Sequence, residues 1–329
     1  MNSAGNEQEN GMSDNDTKSN QNWEKDTIND LLFASVKEQR RTRRWNLAFR
    51  LFIVIYLISI FVAFEFDNKN AAAELKEHTA LIEVSGVIAA DSEASADNIV
   101  SALRKAFKNE KAAGVILRIN SPGGSPVQSG YINDEIVRLR AKYPEKPLYA
   151  VIVDICASGG YYIAAAADSI YADKASLVGS IGVIMNGFGF TEAMEKIGVE
   201  RRLLTAGEHK GFLDPFSPIN QEEVVHTKEM LANIHKQFID VVKNGRGDRL
   251  ADDEKLFSGY IWSGEKSLEL GLIDGLGSSS YVAREVIGEE KLIDYTVKPS
   301  FADRFAERLG ASMGNAAVKV LGLQDLQLR

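Results

Sequence analysis

Cysteine is nearly missing from this 329-residue chain: Cys156 stands alone, so no disulfide can close within one molecule. A cysteine-based metal centre has too few ligands for the same reason. The four histidines (His78, His209, His226 and His235) show no metal-binding spacing, and no cofactor is expected. Positive charge is in deficit. The net charge is −8 and no basic stripe runs through the folded part, which argues against a nucleic-acid partner. Internal repeats are also lacking, so the fold must come from one or two unrepeated domains.

What is present divides the chain into unlike segments. Residues 1–44 form a polar tail ending in a basic cluster. Its first thirty or so residues hold too few apolar side chains to offset ordering entropy and are predicted to be disordered. Lys37, Arg40, Arg41, Arg43 and Arg44 then precede residues 45–66, an apolar stretch broken only by Asn46, Arg50, Tyr56, Ser59 and Glu65. The uninterrupted run Leu51–Phe64 is short for a span. Adding Leu47–Phe49, with Arg50 snorkelling toward the head groups, brings it to the required length of about 20 residues. A buried core helix could also be apolar all round. Glu65-Phe66-Asp67 offers no small-residue cleavage site, so a signal anchor is predicted rather than a removable leader. The arginine cluster holds the N-terminus in the cytoplasm. The rest of a bacterial protein would then face the periplasm or the outer side of the inner membrane.

Residues 67–79 read as a linker, and β-branched runs alternate with amphipathic stretches from there on. Strands are expected at 81–84, 115–119, 148–153 and 170–172, and helices at 95–107, 131–142, 159–167 and 221–244. That alternation indicates βαβ units and a mostly parallel α/β sheet. The last segment, 299–329, contains an amphipathic stretch at about 301–309.

Three turns carry candidate chemistry. Ser158, in Ala157-Ser158-Gly159-Gly160, leaves a buried strand and enters a helix. Its glycines allow a substrate close approach, and the helix N-terminus favours developing negative charge. Taken alone, Ser158 reads more readily as a helix-capping serine with small packing neighbours. Ser121-Pro122-Gly123-Gly124 follows another strand and leaves the amides of Gly123 and Gly124 uncovered, as an oxyanion hole requires. Lys210 lies near Leu203, Leu204, Phe212, Leu213, Pro215 and Phe216. Apolar walls of that kind can lower a lysine pKa from about 10.4 far enough for it to act as a base. His209 leaves a Ser-His-Asp arrangement open, with Asp154, Asp168 or Asp214 as the third member. Cys156 leaves a thiol nucleophile open. Ser180 sits in a strand-like run, Val178–Val183.

The order Ser121-Pro-Gly-Gly, Ala157-Ser-Gly-Gly-Tyr-Tyr, Gly179-Ser-Ile-Gly-Val and Lys210 resembles the signal peptide peptidase A family in its short bacterial form. The likeness continues through Gly245-Arg246-Gly247 and Gly271-Leu272-Ile273-Asp274 and covers residues 80–298. It implies a Clp protease/crotonase-like fold of stacked βαβ units. Ser158 would be the nucleophile, Lys210 the general base and Ser180 a hydrogen-bond partner for the lysine. Gly124, with Gly123, would line the oxyanion hole. It also implies a homo-oligomer, an octamer in the short form, in which neighbouring protomers complete each site.

The expectation is therefore a membrane-anchored Ser-Lys endopeptidase that degrades remnant signal peptides and other apolar peptides. A crotonase-type acyl-CoA enzyme and a non-catalytic membrane-anchored scaffold are the alternatives.

Overall fold

The structure is a computed structural model that describes residue 38, residues 40–59 and residues 76–298. The expected disordered tail up to residue 37, most of the linker and the segment 299–329 lie outside the described residues. The chain divides into two units. In the first, residues 40–59 form a helix, α1, whose apolar side chains from Trp45 to Ile58 are exposed. Among the described residues no helix is long and apolar enough to cross a membrane. The second part of the expected anchor, residues 60–66, is not among them.

The second unit is an α/β domain. Strands β1 (His78–Ile88), β2 (Ala112–Gly124) and β3 (Leu148–Ala157) run parallel side by side, and β8 (Leu292–Asp294) extends the sheet beyond β1. Helix α2 (Ala96–Lys108) links β1 to β2, and α3 (Pro126–Lys142) links β2 to β3. Ile82, Leu117, Ile119 and Ile152 point to one face, where Ile99 and Leu103 of α2 and Ile132 and Ile136 of α3 cover them. Their neighbours Leu81, Ile116 and Val151 point to the other face, under Val282 and Ala283. Parallel strands are buried on both sides in this way, which is why they read as continuous apolar runs rather than alternating ones.

Beyond β3 the sheet splits, and this split positions the site. The first half of β3 pairs with β4 (Ser169–Ala172), through Tyr149–Val151, and β4 pairs in turn with the short β7 (Gly275–Leu276). Its second half pairs with β5 (Leu177–Gly179), through Ile155–Ala157. The short β6 (Ile261–Ser263) closes that edge antiparallel to β5. The strand-like run Val178–Val183 thus stops at Gly179, because the backbone turns to positive φ at Gly179 and Ser180. Helix α3 starts at Pro126 rather than near 131: Ser125 caps it by accepting the Gln128 N–H, and Pro126 occupies its first turn. Between β5 and α6 (Gln221–Arg246) lies an arm, about residues 183–220, that contains only the short α5 (Thr191–Lys196). Most of its side chains are exposed, including Ile184, Phe188 and Leu204.

One buried ion pair ties the end of α6 to the sheet. The Arg246 side chain is fully buried and donates to both Asp274 oxygens, at 2.7 and 2.9 Å, and to Gly271 O at 3.0 Å. Asp274 also accepts the Ile170 N–H at 2.7 Å. Burial works against its charge, but the bonds from Arg246 and Ile170 together prevail and hold the carboxyl below its ordinary range. Asp274→Ala would leave a guanidinium buried without its partner and is expected to cost about 3–5 kcal/mol, read from urea unfolding. Since the folded pKa is depressed, this contribution is complete above the ordinary carboxylate range. It is lost as pH falls through the folded value, so the variant's deficit should shrink in acid.

Candidate active site

Strand β2 ends in Ser121-Pro122-Gly123-Gly124, and the buried Ser121 hydroxyl shapes the turn. It donates to Gly86 O at 2.6 Å and accepts the Gly123 N–H at 3.1 Å. Both glycines are required by space. A Cβ on Gly124 would lie 2.1 Å from Ile88 O, and one on Gly123 would lie 2.8 Å from the Ser158 Cβ. The two turns predicted from sequence are therefore packed against each other.

Strand β3 delivers Ser158 beside that turn. Its backbone has φ 51° and ψ −121°, a conformation that L-residues rarely adopt. Two bonds hold it: the Ser158 N–H donates to Gly179 O at 2.8 Å, and its carbonyl accepts the Tyr162 N–H at 3.0 Å. Helix α4 (Gly159–Ala164) follows, shorter than the expected 159–167. A Cβ on Gly159 would meet Ser129 Oγ at 2.5 Å and Gly124 N at 3.2 Å. Only a bare Cα lets Gly159 sit this close to the Gly124 amide. The place of Gly159 beside Gly124 was not legible in the sequence, since it depends on the neighbouring turn.

Ser158, Gly124 and Gly159 line a cleft of about 550 Å³. Its other walls are mainly apolar, from Val127, Tyr131, Tyr162, Val183, Ile184 and Phe238, with Asp134 and Gln237 also present. Ser180 is tied to the same corner. It follows Gly179, whose carbonyl holds Ser158, and it also has positive φ, 53°, with its N–H on Tyr260 O at 2.8 Å. Ser158, Ser180, Gly123 and Gly124 are thus brought together.

Lys210 is not among the residues lining this cleft. It is exposed on a turn of the arm, where its N–H donates to Gly207 O at 3.1 Å. The apolar walls expected around it do not close within one chain: Leu204 is 96 % exposed. Nor does a Ser-His-Asp set form. His209 is half exposed, with Nδ1 3.6 Å from Glu223 Oε1. Asp154 accepts from Asn120, Asp168 from Arg140 and the Leu148 N–H, and Asp214 from Arg201 and Ser217. Cys156 is wholly buried, and burial pushes its thiol pKa up, away from the thiolate a nucleophile needs. Among the described residues no cluster of three or more His, Cys, Asp or Glu could hold a metal ion.

Comparison with known proteins bears on this site. Residues 140–292 match the family model described as peptidase family S49. A protein of Brucella melitensis named Na(+)/H(+) antiporter NhaA is 47% identical over 188 residues, which are 57% of this chain and 25% of that protein. The putative signal peptide peptidase SppA of Enterococcus faecium is 32% identical over 224 residues, covering 66% of this chain and 64% of the relative. A putative protease of Synechocystis is 32% identical over 203 residues, covering 62% of this chain and 71% of the relative. The chain thus spans a quarter of the Brucella protein and just under two thirds of the Enterococcus one. With the matched stretch running from the strand that presents Ser158 to the last strand of the sheet, the chain belongs to peptidase family S49, the signal peptide peptidase A family.

Proposed function

We propose that this chain is a membrane-anchored serine endopeptidase that cleaves apolar peptides, remnant signal peptides among them, through a Ser158–Lys210 dyad. The observation that carries this reading is Ser158 held at positive φ against the Gly123–Gly124 turn, at the edge of an apolar cleft. Backbone strain of this kind persists only where surrounding structure enforces it, and it concentrates at reactive positions.

In the proposed reaction the Ser158 hydroxyl attacks the scissile carbonyl while the neutral Lys210 amine takes its proton. The carbonyl oxygen becomes an oxyanion that accepts from the Gly124 N–H and, as a second donor, from the Gly159 N–H. One such donor is worth about 3 kcal/mol in the transition state. The Gly123 N–H is already given to Ser121 Oγ, so it contributes by shaping the turn. As the tetrahedral species collapses, the peptide C–N bond breaks and the lysine ammonium protonates the leaving amine. Water, deprotonated by the same amine, then attacks the acyl ester and frees Ser158.

A lysine base must be dry to be neutral, and Lys210 is exposed in the single chain. We therefore place a second copy of the chain over the arm, so that Lys210 meets the Ser158 cleft of its neighbour in a closed homo-oligomer. The split sheet beyond β3 fits a Clp protease/crotonase-like domain. The apolar residues 45–66 behind the arginine cluster supply the anchor, with the domain on the extracytoplasmic side of a bacterial inner membrane.

A fluorophosphonate probe tests the nucleophile directly. It is expected to label Ser158 and to be blocked by an apolar peptide aldehyde. Labelling at Cys156, or no labelling of a folded protein that still hydrolyses peptides, would overturn the assignment.

A further inference from the structure

Among the described residues, three other than glycine have positive φ: Ser158, Ser180 and Leu213. Two belong to the site already described. Leu213, at φ 50°, lies three residues beyond Lys210 and raises the question of what holds it there.

The answer is a buried carboxylate. Asn220-x-x-Glu223 opens α6 with the spacing of a capping box, in which the glutamate would reach back to the amide of the capping residue. Asn220 does cap, accepting the Glu222 N–H at 2.9 Å. Glu223 turns instead to the preceding arm. Its Oε2 accepts the Leu213 N–H at 3.0 Å, and its Oε1 lies 3.6 Å from His209 Nδ1. The residue is only 9% exposed. Its two oxygens therefore engage both flanks of the five-residue span His209–Leu213 that carries Lys210. Phe212, in the same span, packs edge-on against His226 of α6, with ring centroids 6.0 Å apart. A bond to a charged acceptor is shorter and stronger than a neutral one, and its direction fixes backbone geometry.

We propose that Glu223 is a positioning residue that sets the place of the Lys210 amine by clasping its turn to α6. This rests on Lys210 being the base, and the experiment separates the two ideas. Glu223→Ala, Glu223→Gln, Lys210→Ala and the Glu223→Ala/Lys210→Ala pair are assayed on an apolar fluorogenic peptide, using the full chain in its assembled form. Glu223→Ala is expected to lower kcat by about 10–100-fold, because a misplacement of about 1 Å at a reacting group is enough for that. KM should stay within about twofold, and the midpoint of the pH–rate profile should move. Glu223→Gln keeps an acceptor for the Leu213 N–H and should stay within about threefold of wild type. Added to Lys210→Ala, Glu223→Ala should cost nothing further, as expected for residues acting as a unit.

The proposal is overturned if Glu223→Ala keeps wild-type kcat and pH profile. It is also overturned if lost activity merely follows lost folded protein in thermal melts, with the profile unmoved, or if Gln is as damaging as Ala. Should Lys210→Ala itself retain turnover, the dyad falls and Glu223 with it. An inactive Lys210→Ala beside an unaffected Glu223→Ala sinks the clasp alone.

Discussion

Alanine at position 158 is expected to lower kcat/KM for an apolar fluorogenic peptide by about 10⁴-fold or more, leaving only what binding and the amide donors supply. The fold should survive. The backbone bonds that hold this residue, from its N–H to Gly179 O and from the Tyr162 N–H to its carbonyl, do not involve the hydroxyl. Ser158→Gly should be equally inactive yet more stable, by about 1–2 kcal/mol, because glycine adopts φ 51° without the penalty a Cβ imposes. Paired measurement of turnover and urea midpoint checks both. A serine held in place for chemistry predicts opposite movements of activity and stability at one position. A capping or packing serine predicts that activity survives, so retention of turnover in Ser158→Ala would overturn Ser158 as the nucleophile.

Lys210→Ala is expected to cost about 10³-fold, in the middle of the range for removing a general base, with KM little changed. The wild-type rate should rise with pH through the pKa of the amine, and the variant should lose that limb. The setting of Lys210 makes a further outcome specific. It is exposed on an arm whose apolar side chains are mostly uncovered in the single chain, whereas a lysine that serves as a base needs dry surroundings. Mixing the two inactive variants, Ser158→Ala and Lys210→Ala, under conditions that let subunits exchange should therefore recover partial activity, because some interfaces would pair an intact serine with an intact lysine. A mixture that stays inert although mixed particles form would place both groups within one chain and overturn the trans arrangement. Conversion of the assembly to monomers should abolish turnover without unfolding the domain.

Much of the architecture was legible along the chain. Val115–Ile119 and Leu148–Val153 read as parallel strands because burial on both faces removes polar alternation, and the structure pairs them in register. The Pro-Gly-Gly and Ser-Gly-Gly turns were visible for a local reason, since glycine pairs after apolar strands have few other uses. Element ends were less legible. Helix α3 begins at Pro126, five residues before its apolar pattern becomes evident, because a cap and a proline start a helix without apolar side chains. The run Val178–Val183 promised a longer strand than β5, and nothing in its composition announced the positive φ at Ser180.

What the sequence determined by itself was the set of chemical parts and the absence of others. It held one serine and one lysine in suggestive turns, two amide-rich glycine pairs, too few soft ligands for a metal, and an apolar stretch behind a basic cluster. These follow from residue type and nearest neighbours, which is the range over which turn and patterning rules act. Tertiary structure alone decided how the parts meet. Packing of the β2 turn against the β3 turn brought Gly124 and Gly159 together, and the split beside β3 put Ser180 next to Ser158. The buried Glu223 took hold of the lysine's turn. Each of these depends on groups 10 to 35 residues apart in sequence lying side by side, a condition set by strand register and burial rather than by any local sequence signal.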